Sequence, residues 1–183
     1  MGPWAELPWK EQLYYLRAYA SWSTPSWRTL EPTPEIVERA ARLVPGRALD
    51  VGCGFGRDTF ALAELGWDVV GLDLSRRAIS AARAAAIRKR ANVELVRGPA
   101  SKLCVEGPFD LGIDVLGPAS DLEGDALTSY TKRLATLMRP GGTLLVLTFR
   151  PELVARFPFE LVERRALRGT RHTALLELRR AAR

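Results

Sequence analysis

A chain of 183 residues with 47% hydrophobic and 26% charged side chains is long enough to bury one sizeable core and too balanced for a disordered segment. Two cysteines and one histidine exclude a disulfide framework and a histidine-based metal centre, and with no apolar run of membrane-spanning length and no signal-peptide pattern the expectation is a soluble, cytoplasmic protein without a metal. The net charge of +6 admits RNA as a partner, but Arg164, Arg165, Arg168, Arg171, Arg179 and Arg180 read more simply as a solvated, salt-bridged face.

Residues 8–22 read as an amphipathic helix with Leu13, Leu16, Tyr19 and Ala20 near one face, followed by a loop over 21–34 that carries proline and tryptophan. Thr33 as N-cap, Pro34 at the first helical position and Glu35 in the first turn predict a helix to about Val44, where Pro45-Gly46 stops it. Strand 47–52, helix 57–65 closed by Gly66, and strand 68–74 follow. Ser75 caps an alanine-rich helix over 75–90, and then come strand 93–98, strand 109–115, a Gly/Pro loop and helix 124–138. Residues 139–142, Arg-Pro-Gly-Gly, are expected as a turn before strand 143–149.

Such alternation predicts an α/β fold: a Rossmann-like, doubly wound sheet, mostly parallel, with helices on both faces. The runs 159–166 and 173–179 leave no room for a crossover helix, so they predict a C-terminal antiparallel hairpin. The expected organisation is a single domain over 1–183, with a helix and arm in 1–32 and the core in 33–183.

Ala48-Leu-Asp-Val-Gly-Cys-Gly-Phe-Gly-Arg57 carries the chemistry: a buried strand runs into a glycine turn and then a helix. A second buried strand, in Val69-Val-Gly-Leu-Asp-Leu-Ser75, ends on Asp73, roughly 20 residues after the glycines, where a nucleoside ribose is read. Gly52, Gly54 and Gly56 let a ligand lie directly on the main chain. A dinucleotide loop would carry G-x-G-x-x-G and aim a helix N-terminus at a pyrophosphate; here Arg57 takes the place of the last glycine. Asp50, just before the glycines, would oppose a pyrophosphate by ~4 kcal/mol at about 4 Å in an effective dielectric near 20. The same carboxylate favours a ligand with an ammonium and a sulfonium, as in S-adenosylmethionine.

On these motifs the chain resembles a class I S-adenosylmethionine-dependent methyltransferase, most closely the small thiopurine/tellurite-resistance-like branch. Phe109-Asp-Leu-Gly-Ile-Asp114 is similar to the family's fourth strand, and Arg139-Pro-Gly-Gly-Thr-Leu-Leu-Val-Leu147 to its fifth. The resemblance implies S-adenosylmethionine as cofactor, S-adenosylhomocysteine as product and no metal. It implies that Gly52, Cys53, Gly54 and Gly56 line the methionine moiety, Asp50 orients the loop and the ammonium end, Asp73 accepts from the ribose and Leu74 flanks the adenine. Cys53 itself reads as a small space-filler.

The third-strand motif departs from the family, since Arg97-Gly-Pro-Ala-Ser101 has no acid after the glycine. Adenine is then read by backbone near Ala100, by Ser101 or by packing. Asp114 faces the methyl donor by analogy, as a catalytic group or as a carboxylate that holds the methionine amino group. The 115–121 loop offers no histidine, asparagine or aromatic residue, so a thiol or other soft nucleophile needs the least help. Trp22, Trp27 and Arg28 are candidates for a lid or acceptor contact. The leading expectation is methyl transfer to a small-molecule thiol, other soft nucleophile or heteroatom. The alternatives are methylation of RNA or protein and a cofactor-binding module without transfer; the oligomeric state is left open.

Overall fold

The computed structural model describes residues 31–167 and 173–182. The expected helix over 8–22, the lid candidates Trp22, Trp27 and Arg28, the hairpin tip with Arg168 and Arg171, and His172 lie outside the described residues. Within them the chain order is α1 (Pro34–Ala40), β1 (Arg47–Val51), α2 (Arg57–Glu64), β2 (Asp68–Asp73), α3 (Arg76–Lys89), β3 (Glu94–Arg97) and β4 (Phe109–Val115). Then come α4 (Pro118–Asp121), α5 (Gly124–Leu137), β5 (Met138–Thr148), a 3-10 turn (Pro151–Arg156), β6 (Glu160–Ala166) and β7 (Ala174–Arg179).

The seven strands form one sheet in the order β3-β2-β1-β4-β5-β7-β6. The first five run parallel, and β7 enters antiparallel beside β5 with β6 folded back on it. This is the expected doubly wound sheet with its C-terminal hairpin. Alternation along the strands divides the core. Leu49, Val51, Val146, Leu176 and Leu178 face α5, where Leu127, Tyr130, Leu134 and Leu137 form a helical stripe. Ala48, Val69, Ile113, Leu145 and Leu175 face the other way, against Ile36, Ala40 and Leu62 of α1 and α2. Ile79 and Ala82 of α3 close a third cluster with Leu95 and Cys53.

Several boundaries differ from the sequence reading for local reasons. Helix α1 stops at Ala40, short of Val44, and Thr33 caps it without using its side chain. That hydroxyl donates instead to Asp58 Oδ2, and the Thr33 N–H donates to Oδ1, which ties the start of α1 to the start of α2. Ser75 caps α3 as expected, accepting from the Ala78 N–H at 3.2 Å.

The 139–142 turn is a correction. It lies inside β5 as a bulge, where pairing with β4 jumps from Phe109–Met138 to Leu111–Thr143. Gly141, at φ 77°, donates its N–H to Arg180 O, and Gly142 O accepts from Arg180 N, so the end of the reversed strand supplies the partners that a free turn would lack. Gly142 is also required by space, since a Cβ would sit 2.8 Å from Arg139 O.

The hairpin is asymmetric: β7 is buried almost throughout, while every residue of the edge strand β6 is exposed. Charged residues and a register shift between Leu161 and Glu163 guard that edge. Glu177 sits in the middle of β7 at 2% exposure. Its Oε2 is bound by the Arg39 guanidinium from α1, while Oε1 lies 3.7 Å from Arg179 with no hydrogen-bond partner.

Removing Arg39 would leave a buried carboxylate with one distant cation. Arg39→Ala is expected to cost at least ~2 kcal/mol in urea unfolding, more than Glu177→Gln, which deletes the charge itself. Small and equal losses would mean that α1 is not held by this pair.

Candidate functional site

Strands β1, β2 and β4 end together, and the glycine turn closes over them. Gly52, Gly54 and Gly56 have φ of 77°, 55° and 85°, in the left-handed region that disfavours side chains. Space adds to this: a Cβ on Gly52 would lie 2.9 Å from Pro118 Cδ, and one on Gly56 2.7 Å from the Phe60 ring. The N–H groups of Gly52, Cys53, Gly54 and Gly56 are engaged. Gly52 and Cys53 donate to Leu72 O at 2.8 and 3.0 Å, Gly56 donates to Cys53 O at 2.9 Å, and Gly54 donates to Asp73 Oδ2 at 2.9 Å. A pyrophosphate cradle would present such groups to its ligand. This turn instead offers a ligand its α-carbon surface and neighbouring carboxylates.

Asp73 is buried at the end of β2 and accepts the Ser75 N–H on its other oxygen at 2.7 Å. A carboxylate can accept about four donors across its two oxygens, and two ribose hydroxyls would be among them on the cofactor reading. Asp50 lies beneath the turn, toward α2, and accepts the Thr59 hydroxyl at 2.6 Å. Burial, with Asp58 and Asp73 as like-charged neighbours, pushes its pKa up to about 8, against the pull of Thr59 and Arg57. A cationic ligand beside it would reverse that balance. Burial, with the Asp50 and Asp73 carboxylates, raises the Cys53 thiol, which packs toward Gly71 and α3 as a space-filler and not as a nucleophile.

Asp114 is fully buried near the end of β4. Tyr130 Oη donates to its Oδ2 at 2.7 Å, Ala119 N donates to the same oxygen at 2.8 Å, and Gly117 N donates to Oδ1 at 3.2 Å. With all three donors converging on it, the carboxylate holds the start of α4. On the other side of that helix Arg150 donates to Ser120 O and Leu122 O, both at 3.3 Å, and Ser120 Oγ meets Thr148 Oγ1 at 3.0 Å. The 115–121 loop is thus a fixed wall with a helical turn.

On the β2–β3 side, Leu74 is half-buried and its carbonyl accepts from Arg97 at 3.3 Å. Gly98 N donates to Asp73 O, and Pro99 O accepts from Lys102 and Leu103, forming a tight turn. Ala100 packs against the core and Ser101 is half-buried beside it.

The structure therefore brings Asp50, the glycine turn, Asp73 and Asp114 together at the strand ends. The sequence reading missed Thr59, Tyr130, Arg150 and α4 itself. Two had signals: Pro118 after a glycine fits the first position of a helix, and a tyrosine in the stripe of Leu127, Leu134 and Leu137 demands a buried acceptor. Of the C-terminal arginines, Arg165 and Arg179 pair with Glu38 and Glu177, and Arg180 donates to Met138 O. Among the described residues no group of three or more His, Cys, Asp or Glu is placed to hold a metal, and no helix is long and apolar enough to cross a membrane.

Residues 48–142 match the methyltransferase domain family. A ubiquinone biosynthesis O-methyltransferase from Bordetella avium is 32% identical over 143 residues, covering 74% of this chain and 57% of that protein. The chain spans about half the length of the curated relatives it matches. A solved structure described as "Conversion of a Disulfide Bond into a Thioacetal Group during Echinomycin Biosynthesis" is 27% identical, covers 93% of each chain and superposes with a TM-score of 0.78. TehB from Haemophilus influenzae, 17% identical over 81% of this chain and 62% of its own, shares the fold with a TM-score of 0.68.

The Asp50 environment sets a pH dependence. An acid whose pKa rises from 3.8 unfolded to about 8 folded keeps a proton that the unfolded chain has lost, so stability falls as pH climbs through that interval. Each tenfold change in an acid constant between the two states is worth about 1.4 kcal/mol. Thermal unfolding of Asp50→Asn should therefore gain on the wild type between pH 5 and pH 9, whereas a constant difference would remove the burial penalty.

Proposed function

The chain belongs to the methyltransferase domain family, with the class I S-adenosylmethionine-dependent fold, and we propose that it transfers a methyl group to a small molecule through sulfur or another soft nucleophile. The observation that carries the cofactor reading is the glycine turn with its N–H groups engaged and Asp50 and Asp73 beside it. That donor set suits a cation with a ribose and suits a pyrophosphate poorly. Asp73 would hold the ribose hydroxyls, Asp50 would stabilise the ammonium end at a distance, and Leu74 with Ala100 and Ser101 would flank the adenine. When bound, S-adenosylmethionine supplies an electrophilic methyl on a sulfonium and leaves as S-adenosylhomocysteine.

The chain's own task is then orientation. In-line displacement disperses charge, so a fixed geometry carries much of the rate. Asp50, Asp73 and Asp114 are buried, and each already accepts hydrogen bonds from its own chain. Among the described residues none of these acids is arranged to take a proton from an acceptor. A thiol loses its proton near pH 8.5 without such help, whereas a phenol holds its own to about 10. The sulfur chemistry named for the 27% identical structure supports the same choice, while the ubiquinone relative names O-methylation.

Two measurements test the reading. Calorimetric titration should give micromolar S-adenosylmethionine binding that falls at least tenfold in Asp73→Ala; an unchanged affinity removes the ribose assignment. S-adenosylhomocysteine formation across thiols, phenols and short RNAs should be fastest with thiols. Salt-sensitive turnover on RNA alone would replace the small molecule as acceptor, and binding without turnover on any acceptor would favour the module that has lost transfer.

A further inference from the structure

Tyr130 has no part in the cofactor contacts named above, yet it is fully buried and makes one polar bond, to the carboxylate at the end of β4. Resting on the cofactor reading above, we propose that Tyr130 is a positioning residue for the cofactor turn. Its phenol fixes Asp114, Asp114 fixes residues 117–119, and Pro118 within that segment seats against Gly52.

Each link is a contact. Val51 and Asp114 are register partners on β1 and β4, so the carboxylate lies directly beside the entry to the glycine turn. Gly117 has no room for a side chain, since a Cβ would meet Asp114 Oδ1 at 3.0 Å and Val51 O at 3.2 Å. Pro118 Cδ would lie 2.9 Å from a Cβ on Gly52, so the proline ring fills the space beside the turn that a side chain would otherwise take. The segment also holds Leu116 at φ 51°, a left-handed conformation that a leucine keeps only under outside constraint.

All three groups around Asp114 are donors: Tyr130 Oη, Ala119 N and Gly117 N. Three donors already occupy most of a carboxylate's roughly four lone-pair sites, so a proton added there weakens the bonds that those donors make. Burial raises the Asp114 pKa to about 7, with Tyr130 and the two N–H groups opposing the rise and Asp121 on α4 adding to it. Asp50 on β1 also faces this pair; burial, with Asp114 and Asp50, raises the phenol well above its ordinary value, so Tyr130 remains the donor throughout. Losing the phenol removes one of the bonds that favour the ionised carboxylate, so the ordered segment should fail at a higher pH.

The experiment is the pH dependence of S-adenosylmethionine affinity from pH 5.5 to 9 for wild type, Tyr130→Phe and Asp114→Asn, with the Asp114 carboxyl resonance followed by NMR in the cofactor-free protein. The wild type should lose affinity below about pH 7. In Tyr130→Phe both the affinity midpoint and the carboxyl midpoint should move up by roughly 1 to 2 on the pH scale, the size expected for a lost hydrogen bond to a charged group. Asp114→Asn cannot ionise and should lose the part of the acid limb that tracks the Asp114 carboxyl resonance, keeping only the part set by Asp50 near pH 8, which decides the matter even if Tyr130→Phe fails to fold. A uniform loss of affinity with unmoved midpoints overturns the proposal, as does a carboxyl midpoint that moves without the affinity. A wild type that binds no cofactor at any pH while the carboxyl still titrates overturns the cofactor reading and this coupling with it.

Discussion

One carbonyl oxygen organises the site. Leu72 O, at the end of β2, accepts the N–H groups of both Gly52 and Cys53, and the next residue, Asp73, takes the N–H of Gly54. These bonds fasten the exit of β1 to the exit of β2, so the turn cannot swing away from the Asp73 carboxylate. They also need a backbone bent through three left-handed positions, which only glycines adopt at little cost. Because the N–H groups point inward, the turn has little to give an anion. The chemistry of the ligand is thus narrowed by the same bonds that shape the loop.

Around that anchor the buried carboxylates divide the work by their partners. Asp73 and Asp114 are surrounded by donors, whereas Asp50 has one hydroxyl and faces two other acids. Asp58 belongs to the fold: it takes the N–H and hydroxyl of Thr33 and the guanidinium of Arg57, joining the start of α1 to the helix that leaves the glycine turn. Burying so many acids is costly unless each is paired or kept protonated. An incompletely paired acid such as Asp50 is a place where a cationic ligand can return part of that cost as affinity.

The sheet was legible in the sequence because it follows short-range rules, and so was the meeting of the glycine turn with Asp73 at the strand ends. Strand alternation, the glycine spacing and an acid at the end of β2 are written within about 30 residues of one another, the scale of a βαβ unit. What escaped was long-range. The 139–142 segment reads as a turn by composition, and it joins β5 only because Arg180, forty residues on in the chain, supplies hydrogen bonds to Gly141 and Gly142. Asp114 reads as a ligand-facing acid, but its three donors come from α4 and α5, one of them a short helix with a weak signal of its own. Thr33 stands at a helix start as expected, but its hydroxyl serves Asp58, 25 residues away, and not the N–H groups of its own helix.

The acceptor side follows from these constraints. Arg150 holds the carbonyls of Ser120 and Leu122, Thr148 meets Ser120, and Asp114 holds the N–H groups at the start of α4, so both ends of this short helix are clamped to the sheet. A wall fixed in this way presents backbone and small side chains, and its Asp114 and Ser120 are already engaged in hydrogen bonds. On the proposed reading, catalysis there comes from holding a reactive nucleophile in line, where a misplacement of about 1 Å can cost a hundredfold in rate. Rigidity is then the chemical contribution of the wall, and the buried pair beneath it is what supplies that rigidity.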